Sequence, residues 1–455
     1  MAHQILDRVS DTSATTGTGA ITVANAPPSG FETLDTVLAT GDTFDYLIVN
    51  TGVLTEWEVG VGTYSGSHVF ARTTVKQSSN ADAAVNFSAG TKEVSLVHSA
   101  FRVKTLVLIE SVNGGPLAGF RNALHNGAMM VAQRGAGPFT SATGFVNNDA
   151  VFLLDRWRLL SDGNDIVDVS QSTTAPTGGL NSILLDVETA DKKFGIWQVV
   201  EQKNAIGLIG NTCTLSFKAA VTGTSIAILK AAIVAWSSTA DAPTADPISA
   251  WNANDTNPTL VANYTFENTP AGTTTGRFVP TTSFVTYSVS AAIDTASTTN
   301  VAVLIWCDDL TTTVGDFLYI TDVQLEIGAT ATPFERRGIT TEELVCQRYL
   351  PSVRSASTTD FLGVGFSSSA NDTRLSFAFY TIPRIPPTGL LRSAATDFSV
   401  QSTGLSVASA VAFNSASRKV GRVEVPTASG VAAGDCVEVY MNSATAYLVF
   451  TGAEI

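Results

Sequence analysis

Between Phe317 and Ile327 the side chains alternate. Phe317, Tyr319, Thr321, Val323, Leu325 and Ile327 fall on one face of an extended chain, and Asp322, Gln324 and Glu326 on the other. A period of two is the mark of a half-buried strand, because successive side chains point to opposite faces of a sheet. Pro333 closes the run, since it has no N–H for a ladder. Thr340 followed by Glu343 has the spacing of a capping box ahead of Leu344 and Val345, which predicts one short helix near 341–350. Only 15% of the residues are charged and 44% are apolar, so the chain can bury sizeable cores. Abundant Thr, Ser, Gly and Val favours strands and turns. The expected fold class is all-β, with tandem β-domains.

The 455 residues suggest about three domains. Residues 1–100 carry short alternating runs, such as Trp57, Val59 and Val61 against Glu56, Glu58 and Gly60, and Val94 and Leu96 against Glu93 and Ser95. Turn chemistry at Asn50-Thr51-Gly52 and Tyr64-Ser65-Gly66-Ser67 separates them, giving a β-domain of about six or seven strands. Residues 101–121 read as a connector with a break at Asn113-Gly114-Gly115-Pro116. Residues 122–338 read as a jelly-roll-like β-sandwich of about eight strands. The candidates are Ile183–Val187, Ile196–Val200, Thr212–Lys218, Ser225–Trp236, Asn263–Phe266, Phe284–Ala291, Val301–Trp306 and Leu318–Leu325. The loop 237–260, rich in Ser, Thr, Asp, Pro and Asn, should be exposed. Residues 339–350 form the helical linker, and 351–455 a third β-domain in which Leu375, Phe377 and Phe379 alternate with Arg374, Ser376 and Ala378. Pro383, Pro386 and Pro387 exclude a central strand after it.

Several stretches, together covering nearly the whole chain, carry a resemblance, and one run is the most specific. Thr321-Asp322-Val323-Gln324-Leu325-Glu326, then Thr332-Pro333-Phe334-Glu335, then Cys346-Gln347-Arg348-Tyr349, resembles the end of a carbohydrate-binding-module-like β-domain of tail fibres and related appendages of tailed bacteriophages. Asn126-Gly127, Gln133-Arg134-Gly135 and Asp155-Arg156-Trp157 are similar to the opening of that domain, and Trp197-Gln198 and Thr214–Lys218 to its middle. The sequence departs from it at Ala128–Ala132, where the family has more aromatic residues. Asp7-Arg8-Val9, Thr55–Tyr64 and Phe87–Thr91 resemble a second phage module, and Tyr447–Ile455 a closing fibre strand. The resemblance implies a structural virion protein, either a tail fibre or a receptor-binding appendage adhering to host surface glycans. It implies a homotrimer joined to other virion proteins through its N-terminal domain, made in the host cytoplasm and residing in the virion. The alternatives are a head fibre or capsid-attached spike with the same modules, a connector carrying another receptor-binding protein, and a polysaccharide-degrading enzyme.

Charge narrows the partners. The net charge of −14 lies wholly in residues 1–350, with 19 Lys/Arg against 33 Asp/Glu, while residues 351–455 hold 7 of each. An acidic body is a poor match for nucleic acid or an anionic membrane. Residues 1–20 contain no apolar core, so no signal peptide is expected. The longest apolar run, Ser225–Trp236, is interrupted by Lys230 and is far short of the ~20 residues that span a bilayer. It reads as a buried strand pair, and no membrane insertion is expected. Cys213, Cys307, Cys346 and Cys436 are too far apart for a local zinc or redox pair, and read as free thiols.

No nucleophile elbow or phosphate loop is present, and His3, His68, His98 and His125 lack ligand spacing. No catalytic residue, metal ligand or cofactor is assigned. Glycoside hydrolysis needs only two carboxylates, which makes Glu326 with Glu335 and Asp308 with Asp309 the candidate pairs. The second reads better as a turn. Asp162-Gly163-Asn164-Asp165 could offer oxygens to calcium, but lacks a full ligand set and reads equally as a turn. Sugars stack their C–H faces on exposed aromatic rings. Trp251, in the loop 237–260, and Tyr264 just beyond it are the carbohydrate-binding candidates; Trp157, Trp197, Trp236 and Trp306 sit in strand contexts and should be core.

Overall fold

The computed structural model describes residues 3–100, 119–142, 145–270 and 275–455. Residues 1–110 and 111–455 form two compact units. Most of the expected connector, 101–121, lies outside the described residues.

In the first unit, strands form a seven-stranded sheet in the order Ser10–Ser13, Lys92–Leu96, Thr43–Asn50, Trp57–Gly66, Val69–Ser78, Ile21–Thr22, with His3–Gln4 parallel to Thr43–Asn50. The alternation in Trp57–Gly66 is real, but its core face is the polar one. Glu58, Gly60, Gly62 and Tyr64 are buried, whereas Trp57, Val59 and Val61 are half-buried. The rings of Phe44, Tyr46 and Phe70 fill the space that side chains at the glycines would need. A Cβ on Gly60 would lie 2.4 Å from the Thr74 carbonyl and 2.7 Å from the Tyr46 hydroxyl. Glu58 tolerates burial because its carboxylate accepts from Tyr46 Oη (2.6 Å), Arg72 Nη1 (2.9 Å) and Val85 N (2.7 Å).

The second unit holds a two-sheet β-sandwich. One sheet has five strands, in the order Val285–Ala292, Thr212–Val221, Phe317–Ile327, Ser182–Val187, Val167–Ser172. The other has six: Tyr264–Phe266, Leu229–Trp236, Asn300–Cys307, Phe194–Val200 and Arg158–Ser161, with Arg277–Phe278 also paired to Leu229–Trp236. Leu185, Phe217, Ile233, Val303, Ile305 and Leu318 meet in the core between them. The expected strands are present, but Ser225–Trp236 is not a strand pair. It contributes the single strand Leu229–Trp236, preceded by a loop in which Ala227 N donates to Asp309 Oδ2 (2.9 Å). Arg158–Ser161 and Val167–Ser172 escaped the sequence reading because polar residues and the Asp162–Asp165 turn break their pattern.

The strand Phe317–Ile327 is not half-buried. Every residue from Thr321 to Glu326 is buried, and Asp322, Gln324 and Glu326 are at most 3% exposed. Its phase also changes. Leu318 and Ile320 face the core in the first half, Val323 and Leu325 in the second. The switch is a β-bulge: Asp322 has φ +50, and the register against Thr212–Val221 shifts there. The expected single face is thus split, with Phe317 and Tyr319 lying opposite the core.

The polar residues of this strand hold neighbouring segments. Gln324 Oε1 accepts from Glu335 N (2.8 Å), and Glu326 accepts from Thr332 N and Oγ1 (2.7 Å each). Asn122 Oδ1 accepts from Leu325 N (3.0 Å), while its Nδ2 donates to Val323 O (2.9 Å). The helix follows as Ile339–Gln347, capped at Gly338 with no side-chain hydrogen bond. The expected capping box does not form, because Thr340 already lies inside the first turn. Glu342 instead turns inward to accept from Asn126 N and sits 3.4 Å from Arg337. Beyond the helix, Arg348 Nη2 and Tyr349 Oη reach Glu201 at 2.6 and 2.9 Å, and Arg156 packs on the Tyr349 ring at 3.6 Å.

Residues 352–451 add a seven-stranded sheet, in the order Leu405–Val407, Phe398–Gln401, Cys436–Met441, Asp360–Ser369, Asp372–Ala378, Val420–Pro426, Ala412–Ala416. A three-stranded sheet, Ser352–Arg354, Tyr447–Thr451, Gly389–Arg392, packs with it around Leu375, Val423, Val439 and Phe450. Gly389–Arg392, after the prolines, is an edge strand, as proline chemistry requires. Cys213, Cys307 and Cys346 are buried and free, and Cys436 is exposed and free. Among the described residues no helix is long and apolar enough to cross a membrane.

A charged group is buried at one end of the sandwich. Lys193, Lys230 and Asp308 have fully buried side chains. Asp308 pairs with Lys193 and, at 2.6 Å, with Lys230; Asp255 lies 3.3 Å from Lys230 and 2.9 Å from Arg277. Lys193 Nζ also donates to Ala253 O (2.8 Å), which ties the loop 252–257 to the sheet. The interruption of the apolar run by Lys230 is therefore a structural anchor. Asp308→Ala would leave two buried ammonium groups without their shared carboxylate. We expect chemical denaturation of the full chain to show this unit destabilised by about 3–5 kcal/mol, the cost typical of breaking a buried pair. A loss below about 1 kcal/mol would contradict the assignment.

Candidate functional site

The carboxylates weighed from the sequence are consumed by the scaffold. Glu326 is 1% exposed and holds Thr332, while Glu335 Oε2 accepts from Asn122 N (2.8 Å). Asp308 neutralises two lysines, and Asp309 accepts from Ala227 N, Thr311 N (3.0 Å) and Thr311 Oγ1 (2.7 Å). The Asp162–Asp165 loop likewise spends its oxygens locally: Asn164 Oδ1 accepts from Asp149 N, Gly163 O from Ser161 Oγ and Asp165 Oδ1 from Asn147 Nδ2. No group of three or more His, Cys, Asp or Glu that could hold a metal ion occurs among the described residues.

The aromatic candidates belong to one apolar cluster on the outer face of the six-stranded sheet. It joins Leu160, Trp197, Val234, Trp236, Leu304, Trp306, Tyr349 and Ile455, and the loop 237–260 covers it through Ile248 and Leu260. Tyr264 is 7% exposed. Its ring centroid lies 4.6 Å from that of Trp236 and 5.6 Å from that of Trp197, and its hydroxyl donates to Thr244 O at 2.7 Å. Tyr264 thus has no free face for a sugar, and its candidacy is withdrawn on that ground. The four tryptophans expected in the core, Trp157, Trp197, Trp236 and Trp306, are each at most 5% exposed.

Trp251 differs. It is half-buried, resting on the cluster while keeping part of its indole in solvent. It lines an open cavity of about 230 Å³ together with Asp149, Ser161, Asp162, Asp246 and Ser249. The two segments around 149 and 162 come from the sheet edge, and 246–251 from the covering loop. The sequence reading missed Asp149 and Asp246. They stand about a hundred positions apart, and only the covering loop brings them together.

The carboxylates are positioned by backbone donors. Asp149 Oδ1 accepts from Ala150 N and Ser161 N (2.8 Å each), and Asp246 Oδ1 from Ile248 N (2.8 Å). Asp162 Oδ2 pairs with Lys192 Nζ at 3.2 Å. Partial burial raises the pKa of Asp149, opposed by its backbone donors and reinforced by the nearby charge of Asp246. Burial also raises Asp246, opposed by Ile248 N and Arg158. The lining of the cavity is mostly polar, so its fixed carboxylate acceptors are suited to O–H donors, with the half-buried Trp251 at its border. The same carboxylates repel an anionic ligand.

No family model matches this chain, and no curated protein sequence matches it. Among solved structures it is similar to a sugar-binding protein of Bacteroides thetaiotaomicron, at 15% identity and a TM-score of 0.30 over 45% of this chain and 99% of that one. It is also similar to the first family-22 carbohydrate-binding module of Paenibacillus barcinonensis Xyn10C, at 11% identity and a TM-score of 0.26 over 49% and 100%. A third is the enzymatically active domain of tailspike protein 4 from bacteriophage CBA120, at 17% identity and a TM-score of 0.25 over 46% of this chain and 21% of that one. Superpositions at this level carry no argument about ligand or activity, which must come from the residues of the site.

The raised carboxyl of Asp246 has a measurable sign. A carboxyl whose folded pKa lies above its unfolded one binds more protons when folded, so stability falls as pH rises between the ordinary value of 3.8 and the raised one. Asp246→Asn keeps the Oδ1 acceptor and removes the charge. Thermal melts should show the variant at least as stable as the parent at pH 7, with that difference shrinking as pH is lowered through this window. A variant clearly less stable at pH 7 and equal at low pH would reverse the sign.

Proposed function

We propose that this chain is a glycan-binding adhesin, with Trp251 as the stacking platform and Asp149 and Asp246 as hydroxyl acceptors. The observation that carries the reading is the partly exposed Trp251 indole beside backbone-anchored carboxylates in an open cavity. The cavity is smaller than the ~300 Å³ at which drug-sized pockets begin, which suits one sugar unit of a longer glycan. Single-unit contacts are weak, so adhesion would rely on several copies acting together.

The resemblance around Gln324, Arg348 and Tyr349 supports a finer reading: a tail fibre or receptor-binding appendage of a tailed bacteriophage, attached to the virion through its N-terminal module and assembled as a homotrimer. A structural, non-enzymatic role is consistent with the use of Glu326, Glu335, Asp308 and Asp309 as internal hydrogen-bond and ion-pair partners.

Affinity electrophoresis through gels containing soluble neutral polysaccharides tests the site. The parent protein should be retarded. Trp251→Ala should lose roughly ten-fold or more in affinity, and Trp251→Phe should retain part of it, as expected for ring stacking. Equal retardation of all three would remove Trp251 from the site.

A further inference from the structure

We propose that a second glycan-binding site lies in the groove where the helix Ile339–Gln347 and the strand Ser352–Arg354 meet the loop 130–133. The inference rests on the adhesin reading and adds a site distinct from Trp251. The groove has a volume of about 480 Å³, inside the range of small-ligand sites and about twice that of the Trp251 cavity. Met130, Leu344, Val353 and Tyr380 are among the residues that line it.

Tyr380 is the decisive residue. It is 74% exposed, and its ring packs on no other aromatic ring among the described residues. A tyrosine so exposed contributes little to folding, yet it offers a free π-face above a polar rim. On that rim are Glu343 and Arg354, one of each sign, both exposed. The Glu343 carboxylate has no hydrogen-bond or ion-pair partner among the described residues. Arg354 is fixed by its Nε, which donates to Gln133 O at 2.6 Å, and by packing 5.0 Å from the Tyr447 ring. Its terminal nitrogens make no hydrogen bond among the described residues.

The surrounding residues are already committed to structure. Gln347 exchanges hydrogen bonds with the backbone of Ser352 (3.1 and 3.2 Å), and Ser352 Oγ donates to Gln133 at 2.5 Å. These bonds hold the groove's walls rigid, so a ligand need not order them. A guanidinium and a carboxylate flanking an aromatic face recognise vicinal hydroxyls without selecting for net charge. The groove therefore suits an uncharged oligosaccharide segment, longer than the single unit expected at Trp251. Two such sites on one chain would raise avidity on a repeating glycan.

The test uses the full-length chain in affinity electrophoresis and isothermal titration against xylan, galactan and dextran. The variants are Tyr380→Ala, Glu343→Gln and Trp251→Ala, singly and with Tyr380→Ala and Trp251→Ala combined. Thermal melts should leave Tyr380→Ala unchanged, since the side chain is mostly in solvent. The groove is supported if Tyr380→Ala weakens binding of at least one polysaccharide roughly ten-fold and the double variant loses more than either single one. It is supported, and the Trp251 site fails, if Tyr380→Ala alone weakens binding. It is overturned, with the adhesin reading intact, if Tyr380→Ala and Glu343→Gln bind as the parent does while Trp251→Ala does not. Absence of binding by the parent to all three polysaccharides overturns both sites.

Discussion

The second unit depends on a strand that is buried on both faces. Phe317–Ile327 gives Leu318, Ile320, Val323 and Leu325 to the sandwich core, while Gln324 and Glu326 hold the segments that wrap its other side. Buried polar groups are costly unless they are paired, and here they are paired with backbone at fixed positions. That requirement fixes where residues 332–335 run and how Asn122 enters the sandwich. The helix then follows in one place, and Arg348 and Tyr349 can reach Glu201. The bulge at Asp322 is part of the same arrangement, since it turns the polar residues away from the core just where the wrapping segments pass.

This arrangement separates scaffold from recognition. The motif that carries the resemblance is buried at Thr321–Glu326, Cys346 and Tyr349, and its polar side chains bind other parts of the same unit. The scaffold supports two places at the surface. One is the covering loop with Trp251, laid over the outer cluster of the six-stranded sheet and tied down by Lys193 and Lys230. The other is the groove beside Tyr380, whose walls are held by Gln133, Gln347 and Ser352. Both are built from several chain segments that hydrogen bonds of the scaffold hold together.

Much of the β-sandwich was legible in the sequence, because strands such as Thr212–Val221 and Asn300–Cys307 follow from local alternation or continuous apolar runs. What was not legible depends on distant partners. Glu58 belongs to a core face only because Tyr46 and Arg72 reach it. Lys230 sits in a buried strand only because Asp308 lies behind it. The phase switch at Asp322 needs a positive φ that alternation does not encode. The capping box failed because the helix begins at Ile339, which puts Thr340 inside its first turn. At the candidate site, Trp251 was readable as an aromatic residue in a polar loop, but Asp149 and Asp246 were not readable as its neighbours. Tyr264, just beyond the loop that carries Trp251, lies in a strand and is 7% exposed, whereas Trp251 is half-buried.

An adhesin of this design should hold to carbohydrate on a cell surface through its aromatic residues. The most direct measurement is retention of the purified full-length protein on a panel of intact bacterial strains, before and after periodate oxidation of their surface glycans. The account predicts retention on at least one strain, abolished by periodate because the vicinal diols that the sites address are cleaved. Retention that survives periodate, or no retention on any strain, would contradict it.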